Sequence, residues 1–215
     1  MIEDDFNHQM LVGTMARNAR YDRQVALEKA MNLFWERGYS GASMKQIEQA
    51  LDMRPGSIYA TFGNKDGLFG EALAAYARQG GAELREHLAG YSSVLDGLQG
   101  YLRYIARQSS PEEVSPSRAC MVVKTLLEAS NTNSAIADQA NAILGAIEQS
   151  LTELLEQAKI QGELKPDTDC ARLARFLQAQ LIGLRSFAQR EISPDKVTEL
   201  ADDMAAILDT FRARH

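Results

Sequence analysis

The segment from Ser43 to Phe62, SMKQIEQALDMRPGSIYATF, constrains the fold most, because it predicts two short helices joined by a tight turn. Ser43 and Gln46 have the spacing of a capping box, in which each side chain satisfies a backbone amide at the start of a helix. Pro55 stops one helix but suits the first turn of the next. Helices this short are not stable alone in water, so their neighbours must supply a scaffold.

Each of the two predicted helices has an apolar side and a polar side. Met44, Ile47 and Leu51 share one side of the first helix, and Ile58 and Phe62 share one side of the second. The opposite side of the second helix carries small residues and hydroxyl groups, which allow close approach to a groove. This pattern is that of a helix-turn-helix, in which the second helix enters the major groove of DNA and the first crosses the backbone.

Three motifs near this segment share a known pattern. They are FWERGY at 34–39, SMKQI at 43–47 and SIYATFGNKDGLF at 57–69. On these motifs residues 21–80 resemble the DNA-binding domain of the tetracycline-repressor (TetR) family. Ala42 departs from the family pattern, which often has threonine there.

The resemblance implies an all-α protein with two domains. A three-helix, homeodomain-like head occupies residues 21–80, with the helix-turn-helix proper at 43–62, and a helical ligand-binding and dimerisation body occupies residues 81–215. About nine helices or slightly more are expected in total. Residues 1–20 are interpreted as a flexible N-terminal arm. Within the predicted fourth helix, Gly80 and Gly81 suggest a break and a hinge.

The charge distribution agrees with a DNA-binding head on an acidic body. The formal net charge of the chain is −6. Residues 15–65 carry eight Lys and Arg against five Asp and Glu, a net charge of +3, whereas residues 66–215 carry fifteen against twenty-one, a net charge of −6. Such a distribution orients the head toward phosphates.

Composition argues against several other classes of protein. No long apolar run or secretory leader is present, so we expect a cytoplasmic protein without a membrane segment. The three histidines are scattered, and no Glu-x-x-His pair, Cys/His cluster or phosphate-binding glycine loop occurs. We therefore expect neither an enzyme nor a metal site, and no cofactor.

Residues expected to contact DNA lie in the helix-turn-helix and just after it. The resemblance implies that Tyr59 and Lys65 bind phosphates, while Lys45 and the outer side of the second helix are placed to reach base edges. The complete prediction is Ser43, Met44, Lys45, Arg54, Gly56, Ser57, Tyr59, Ala60, Thr61 and Lys65.

The body is expected to hold a small-molecule effector among aromatic and aliphatic side chains. Lys124 is of interest because it lies in an apolar stretch and would either extend to solvent or pair with an anionic ligand. The candidate lining residues are Tyr76, Tyr101, Tyr104, Ile105, Cys120, Met121, Lys124, Leu127, Phe176, Gln180 and Phe187.

The last two predicted helices carry apolar stripes suited to pairing with a second subunit. One stripe repeats with spacings of four and three residues, and the final helix has a broad apolar face. The predicted homodimer interface consists of Cys170, Ala174, Leu177, Leu181, Leu184, Ala188, Leu200, Met204, Ile207, Leu208 and Phe211. The alternative is that both stripes form the core of a single body.

These observations predict a homodimeric, ligand-responsive transcriptional repressor that binds a palindromic double-stranded DNA operator. Activation instead of repression stays open at this point. So do a helical interaction module that does not read DNA, and a redox-responsive regulator that acts through Cys120.

Overall fold

A computed structural model describes residues 23–108 and 119–213 of the chain. Over these ranges it shows nine α-helices followed by a short 3-10 helix, which confirms the all-α class, and its β-structure there is limited to one isolated antiparallel bridge. The predicted arm at 1–20 lies outside the described residues. The elements are α1 (23–41), α2 (Met44–Leu51), α3 (Pro55–Phe62), α4 (Lys65–Leu88), α5 (Val94–Arg107), α6 (Met121–Ala129), α7 (Ser134–Ile160), α8 (Cys170–Phe187), α9 (Pro194–Leu208) and the 3-10 helix (Asp209–Phe211).

The chain divides into two compact units, Met1–Ala75 and Tyr76–His215, and the division falls within α4. We call the first unit the head and the second the body. None of the helices in the described ranges combines the length and apolar character that a membrane span requires.

The head is built around one apolar core to which each of its helices contributes. Apolar side chains that recur at helical spacing on α1, α2 and α3 are buried: Leu27, Ala30, Met31, Phe34, Ile47, Leu51, Ile58 and Phe62. Phe34 packs edge-on against Phe69, with ring centroids 4.8 Å apart, and so joins α1 to α4. The largest fully buried side chains of the head are Phe34, Phe69, Ile47, Ile58, Leu68 and Leu73.

The body has a separate core, formed by side chains from α5, α7, α8 and α9. The carboxylate of Glu163 covers the start of α5, where it accepts hydrogen bonds from the Ser93 hydroxyl at 2.8 Å and from the backbone amides of Val94 and Leu95 at 3.0 and 3.1 Å. The buried Gln99 donates to the carbonyl of Ala205 at 2.9 Å, which ties α5 to α9.

Two predicted helix breaks are wrong. Gly38 predicts the end of the first helix, because glycine is common just after a helix, but helical residues continue to 41 although Gly38 has a positive φ of 75°. The predicted break at Gly80 and Gly81 is also absent, since α4 runs without interruption from Lys65 to Leu88. Glycine only weakens a helix, and packing on either side can override that weakness.

Gly80→Ala is expected to stabilise the protein by about 0.5–1 kcal/mol, because alanine loses less conformational freedom than glycine in a helix. A Cβ atom at this position would meet no atom within 4 Å. Denaturant unfolding followed by circular dichroism measures the change. A lower unfolding midpoint would contradict a continuous α4 and would restore the hinge interpretation.

Candidate nucleic-acid interface

The start of α2 is fixed by the capping box that the sequence predicts. The amide of Gln46 donates to the Ser43 hydroxyl at 3.4 Å, and the amide of Ser43 donates to the side-chain oxygen of Gln46 at 2.9 Å. α2 ends at Leu51, and Asp52 after it adopts the left-handed conformation with φ 54°. This sharp end reverses the chain and allows α3 to begin at Pro55.

α3 presents one side to the core and the other to solvent. Ile58 and Phe62 are buried, at 0% and 6% exposure, whereas Tyr59 is 48% exposed. Gly56, Ser57 and Ala60 are exposed as well, and Thr61 is half-buried. The Thr61 hydroxyl donates to the carbonyl of Ser57 at 2.7 Å, so it is turned back onto its own helix. The outer face of α3 is therefore a narrow surface of small side chains beside one phenol.

The turn into α4 is held by Asn64, whose side-chain oxygen accepts a hydrogen bond from the Gly67 amide at 2.7 Å. Lys65 follows as the first residue of α4, with its ammonium 4.3 Å from the centroid of the Tyr39 ring. The Tyr39 hydroxyl donates a short hydrogen bond to Asp66. A positive charge thus stands at the N-terminal end of α4, where the helix dipole also favours anions.

Arg23 has a structural contact that the sequence does not indicate. Its guanidinium forms two hydrogen bonds to the carboxylate of Glu71, at 2.7 and 2.9 Å, and lies 5.0 Å from the centroid of the Phe62 ring. Arg23 therefore joins α1 to α4 beside the last residue of α3.

All ten residues predicted to contact DNA lie in the head: Ser43 caps α2, and the others lie on α2, on α3, in the turn between them or at the start of α4. Ser43, Lys45 and Arg54 are exposed, while Met44 and Lys65 are half-buried. This group places hydroxyl and basic side chains beside a helix with small outward residues. Such a surface can approach a DNA groove and contact the phosphates at its edges.

The body contains a polar cluster of three tyrosines, one glutamate, one histidine and one arginine, which we call the body cluster: Tyr76, Glu83, His87, Tyr101, Tyr104 and Arg185. The Arg185 guanidinium donates to the Tyr101 hydroxyl at 3.3 Å. The Tyr101 and Tyr104 rings stack with centroids 5.9 Å apart, and the His87 ring lies 5.5 and 5.4 Å from them.

Burial controls the electrostatics of the body cluster. It raises the pKa of Tyr76 and of Tyr101, and together with the charge of Arg107 it lowers the pKa of His87. These shifts keep the phenols protonated and favour a neutral imidazole at neutral pH. Burial alone would lower the pKa of Arg185, but neighbouring Tyr101, Tyr76 and Glu83 raise it above its ordinary value.

The Nε2 atom of His87 is buried and has no hydrogen-bond partner among the residues that the structure describes. Buried polar atoms are normally paired with protein groups, water or a bound molecule, so this nitrogen calls for a partner that the described residues do not supply. His87, Glu83 and Arg185 were not among the residues predicted from sequence. Glu83 and His87 lie one turn apart on α4, but their proximity to α5 and α8 depends on the tertiary fold.

The predicted effector residues are only partly brought together. Tyr76, Tyr101 and Tyr104 belong to the body cluster, and Tyr76 has interactions with both Cys120 and Met121. Leu127 is 76% exposed and does not face the interior of the body. The others divide into the buried Ile105 and Met121 and the half-buried Cys120, Lys124, Phe176, Gln180 and Phe187.

Burial divides the predicted dimer stripe into two groups, and its role in dimerisation stays a prediction. Five of its residues are buried in the protomer, at 0–2% exposure: Cys170, Ala174, Leu177, Leu184 and Leu208. Burial also raises the pKa of the Cys170 thiol to about 11, which disfavours the thiolate form at neutral pH. The remaining residues are half-buried or exposed, namely Leu181, Ala188, Leu200, Met204, Ile207 and Phe211.

Comparison with known proteins assigns both parts of the chain. A family model described as bacterial regulatory proteins of the tetR family matches residues 26–72. A second, described as the tetracyclin repressor-like C-terminal domain, matches residues 96–204, which is half of the chain. The chain belongs to the TetR family. It is a DNA-binding transcriptional regulator, as the head of a TetR protein implies.

Individual relatives agree with the TetR assignment. The HTH-type transcriptional repressor ComR of Escherichia coli K12 is 29% identical over 84% of this chain and 86% of its own. The TetR family regulator CifR, solved as a cysteine-substituted variant with 26-bp double-strand operator DNA, is 35% identical, with a TM-score of 0.75 over 85% of this chain and 94% of that chain. A TetR family regulator from Cytophaga hutchinsonii shares the fold, with a TM-score of 0.78 at 18% identity over 90% of this chain and 96% of that chain.

Proposed function

We propose that this TetR regulator represses transcription as a homodimer that binds a palindromic operator and is released by a small molecule bound in the body. The observation that carries the proposal is the exposed outer face of α3, on a chain that is 35% identical to a regulator solved with operator DNA. Two heads in a dimer would enter successive major grooves roughly 34 Å apart. The protein would act in the cytoplasm, where its operator lies.

An effector can release the protein from DNA only if it binds more tightly to a form of the protein that binds DNA less well. The body cluster is the site that we propose for it, because His87 offers a buried nitrogen without a hydrogen-bond partner in the described part of the chain, and both the His87 ring and the Arg185 guanidinium lie against Tyr101. The effector would contact one or both of these groups while its apolar part packs against the tyrosine rings.

The experiment that tests this function has two stages. The full-length protein is titrated against DNA from the region upstream of its own gene, and binding is followed by fluorescence anisotropy. Small molecules that raise its melting temperature are then added to the complex. Release of the DNA by such a compound supports an effector-released repressor, whereas stronger binding in its presence would contradict release. Light scattering in the micromolar range should give a dimeric mass.

His87→Phe is expected to separate effector binding from folding. Phenylalanine keeps an aromatic ring in the cluster but removes the buried, unpaired Nε2 atom, so the free protein should be at least as stable as the wild type. A compound that bonds to this nitrogen should bind about two- to tenfold more weakly. Thermal-shift titration measures both quantities. Unchanged affinity for every compound that releases DNA would exclude the body cluster at His87 as the effector site.

A further inference from the structure

The aromatic ring of Tyr39 lies beside the ammonium group of Lys65. The distance from Nζ to the ring centroid is 4.3 Å, well inside the range of about 6 Å over which a ring face attracts a cation. We propose that Tyr39 is a positioning residue for DNA binding, whose ring holds the Lys65 ammonium at the start of α4 for a backbone phosphate. The inference rests on the proposed phosphate contact of Lys65.

The Tyr39 ring is itself held from two sides. It packs edge-on against Phe69, with centroids 5.1 Å apart and an interplanar angle of 80°. Phe69 is only 1% exposed and packs in turn against Phe34 in the core of the head. At its other end, the Tyr39 hydroxyl donates to the carboxylate of Asp66. The ring therefore has a fixed position relative to the start of α4.

A fixed ring matters because a lysine side chain is long and flexible. The ammonium sits on a four-carbon stem, and ordering that stem against a phosphate costs conformational entropy. The ammonium carries three N–H donors, so it can lie against the ring face and still donate a hydrogen bond to a phosphate oxygen. If the ammonium is already held in place in the free protein, the side chain loses less conformational entropy when DNA binds.

The hydrogen bond to Asp66 gives Tyr39 a second role. Asp66 is the residue next to Lys65, and its carboxylate would repel a nearby phosphate or compete for the ammonium. By donating a hydrogen bond to this carboxylate, the Tyr39 hydroxyl reduces its competition with DNA phosphates for the Lys65 ammonium. Ring and hydroxyl can be separated experimentally, because Tyr39→Phe removes the hydroxyl and keeps the ring.

The test is the salt dependence of DNA binding, measured on the full chain with upstream DNA. Tyr39→Leu removes the ring and should weaken binding about two- to fivefold for each head that is bound. The slope of log K against log salt concentration should fall toward that of Lys65→Ala, by about 0.9 for each phosphate that the protein no longer neutralises. Tyr39→Phe should retain most of the wild-type slope. In the Lys65→Ala background, Tyr39→Leu should have no further effect on the slope.

Phe34→Leu is the matched control for folding. It disturbs the same aromatic core through Phe69 but leaves the ring beside Lys65 in place, so it should lower the melting temperature and keep the wild-type slope. If Tyr39→Leu also keeps the wild-type slope, Tyr39 is only a packing residue and the inference is overturned. If Lys65→Ala leaves the slope unchanged, the phosphate contact proposed for Lys65 fails as well, which is a distinguishable result.

Discussion

Gly67→Ala is expected to lower the free energy of unfolding of the head by about 1–3 kcal/mol and to weaken DNA binding with it. A Cβ atom on this residue would lie 2.3 Å from the carbonyl oxygen of Phe62. That oxygen belongs to the backbone at the end of α3, so no flexible side chain can move aside. The Gly67 amide also donates a hydrogen bond to the side-chain oxygen of Asn64 at 2.7 Å, which keeps the first turn of α4 close to the end of α3.

Denaturant unfolding of the full chain, with separate probes of head and body, measures this effect. Gly56→Ala is the control for stability, because a Cβ atom there would meet nothing within 4 Å. We expect Gly56→Ala to leave the unfolding midpoint unchanged or slightly raised. A wild-type midpoint for Gly67→Ala would mean that the turn between α3 and α4 adapts easily, contrary to the structure.

Ala60→Glu is expected to leave the fold intact and to raise the Kd for DNA about thirtyfold or more, which corresponds to at least ~2 kcal/mol. Ala60 is exposed on the outer face of α3, where a glutamate can extend into solvent without disturbing the core. On DNA, the same carboxylate would lie close to phosphates and be repelled by them. Its side chain would also keep the outer face of α3, which is made of small residues, from approaching the groove closely.

The matched control is Ala135→Glu, since it makes the same change in charge at an exposed alanine on α7 of the body. Both variants should have wild-type circular dichroism spectra. Anisotropy titrations at one fixed salt concentration then compare the two. Equal affinities for Ala60→Glu and Ala135→Glu would show that the outer face of α3 does not contact DNA.

Local chemistry explains why the head could be predicted from its sequence. The capping box of Ser43 and Gln46 depends on residues three positions apart, and the burial of Ile58 and Phe62 follows from helical spacing within α3. The Asn64 cap at the start of α4 is equally local. In each case the physical cause and its effect lie within one or two turns of the same chain segment.

The body was less predictable because its features depend on contacts between distant segments. Gly80 and Gly81 look like a break in sequence, but α4 passes through them because helix propensity is a weak influence beside packing. A stripe such as Ala174, Leu177 and Leu184 has the same periodicity whether it packs inside a protomer or against a partner. Sequence periodicity therefore cannot distinguish the two arrangements.

The body cluster illustrates the same limit for a site. Arg185 on α8 meets Tyr101 on α5, which is 84 residues away in the chain, and no sequence motif marks that pair. The tyrosines could be selected as aromatic residues at helical spacing, but their polar partners could not. A glutamate, a histidine and an arginine on amphipathic helices ordinarily face solvent.

Hydroxyl-radical footprinting of the upstream DNA with the full-length protein tests the central claim most directly. We predict two protected patches on one face of the duplex, about 10 base pairs apart, because two α3 helices would occupy successive major grooves. The patches should disappear with Ala60→Glu and persist with Ala135→Glu at the same protein concentration. Absence of a footprint for the wild type, or the same footprint for both variants, would contradict DNA recognition by the outer face of α3.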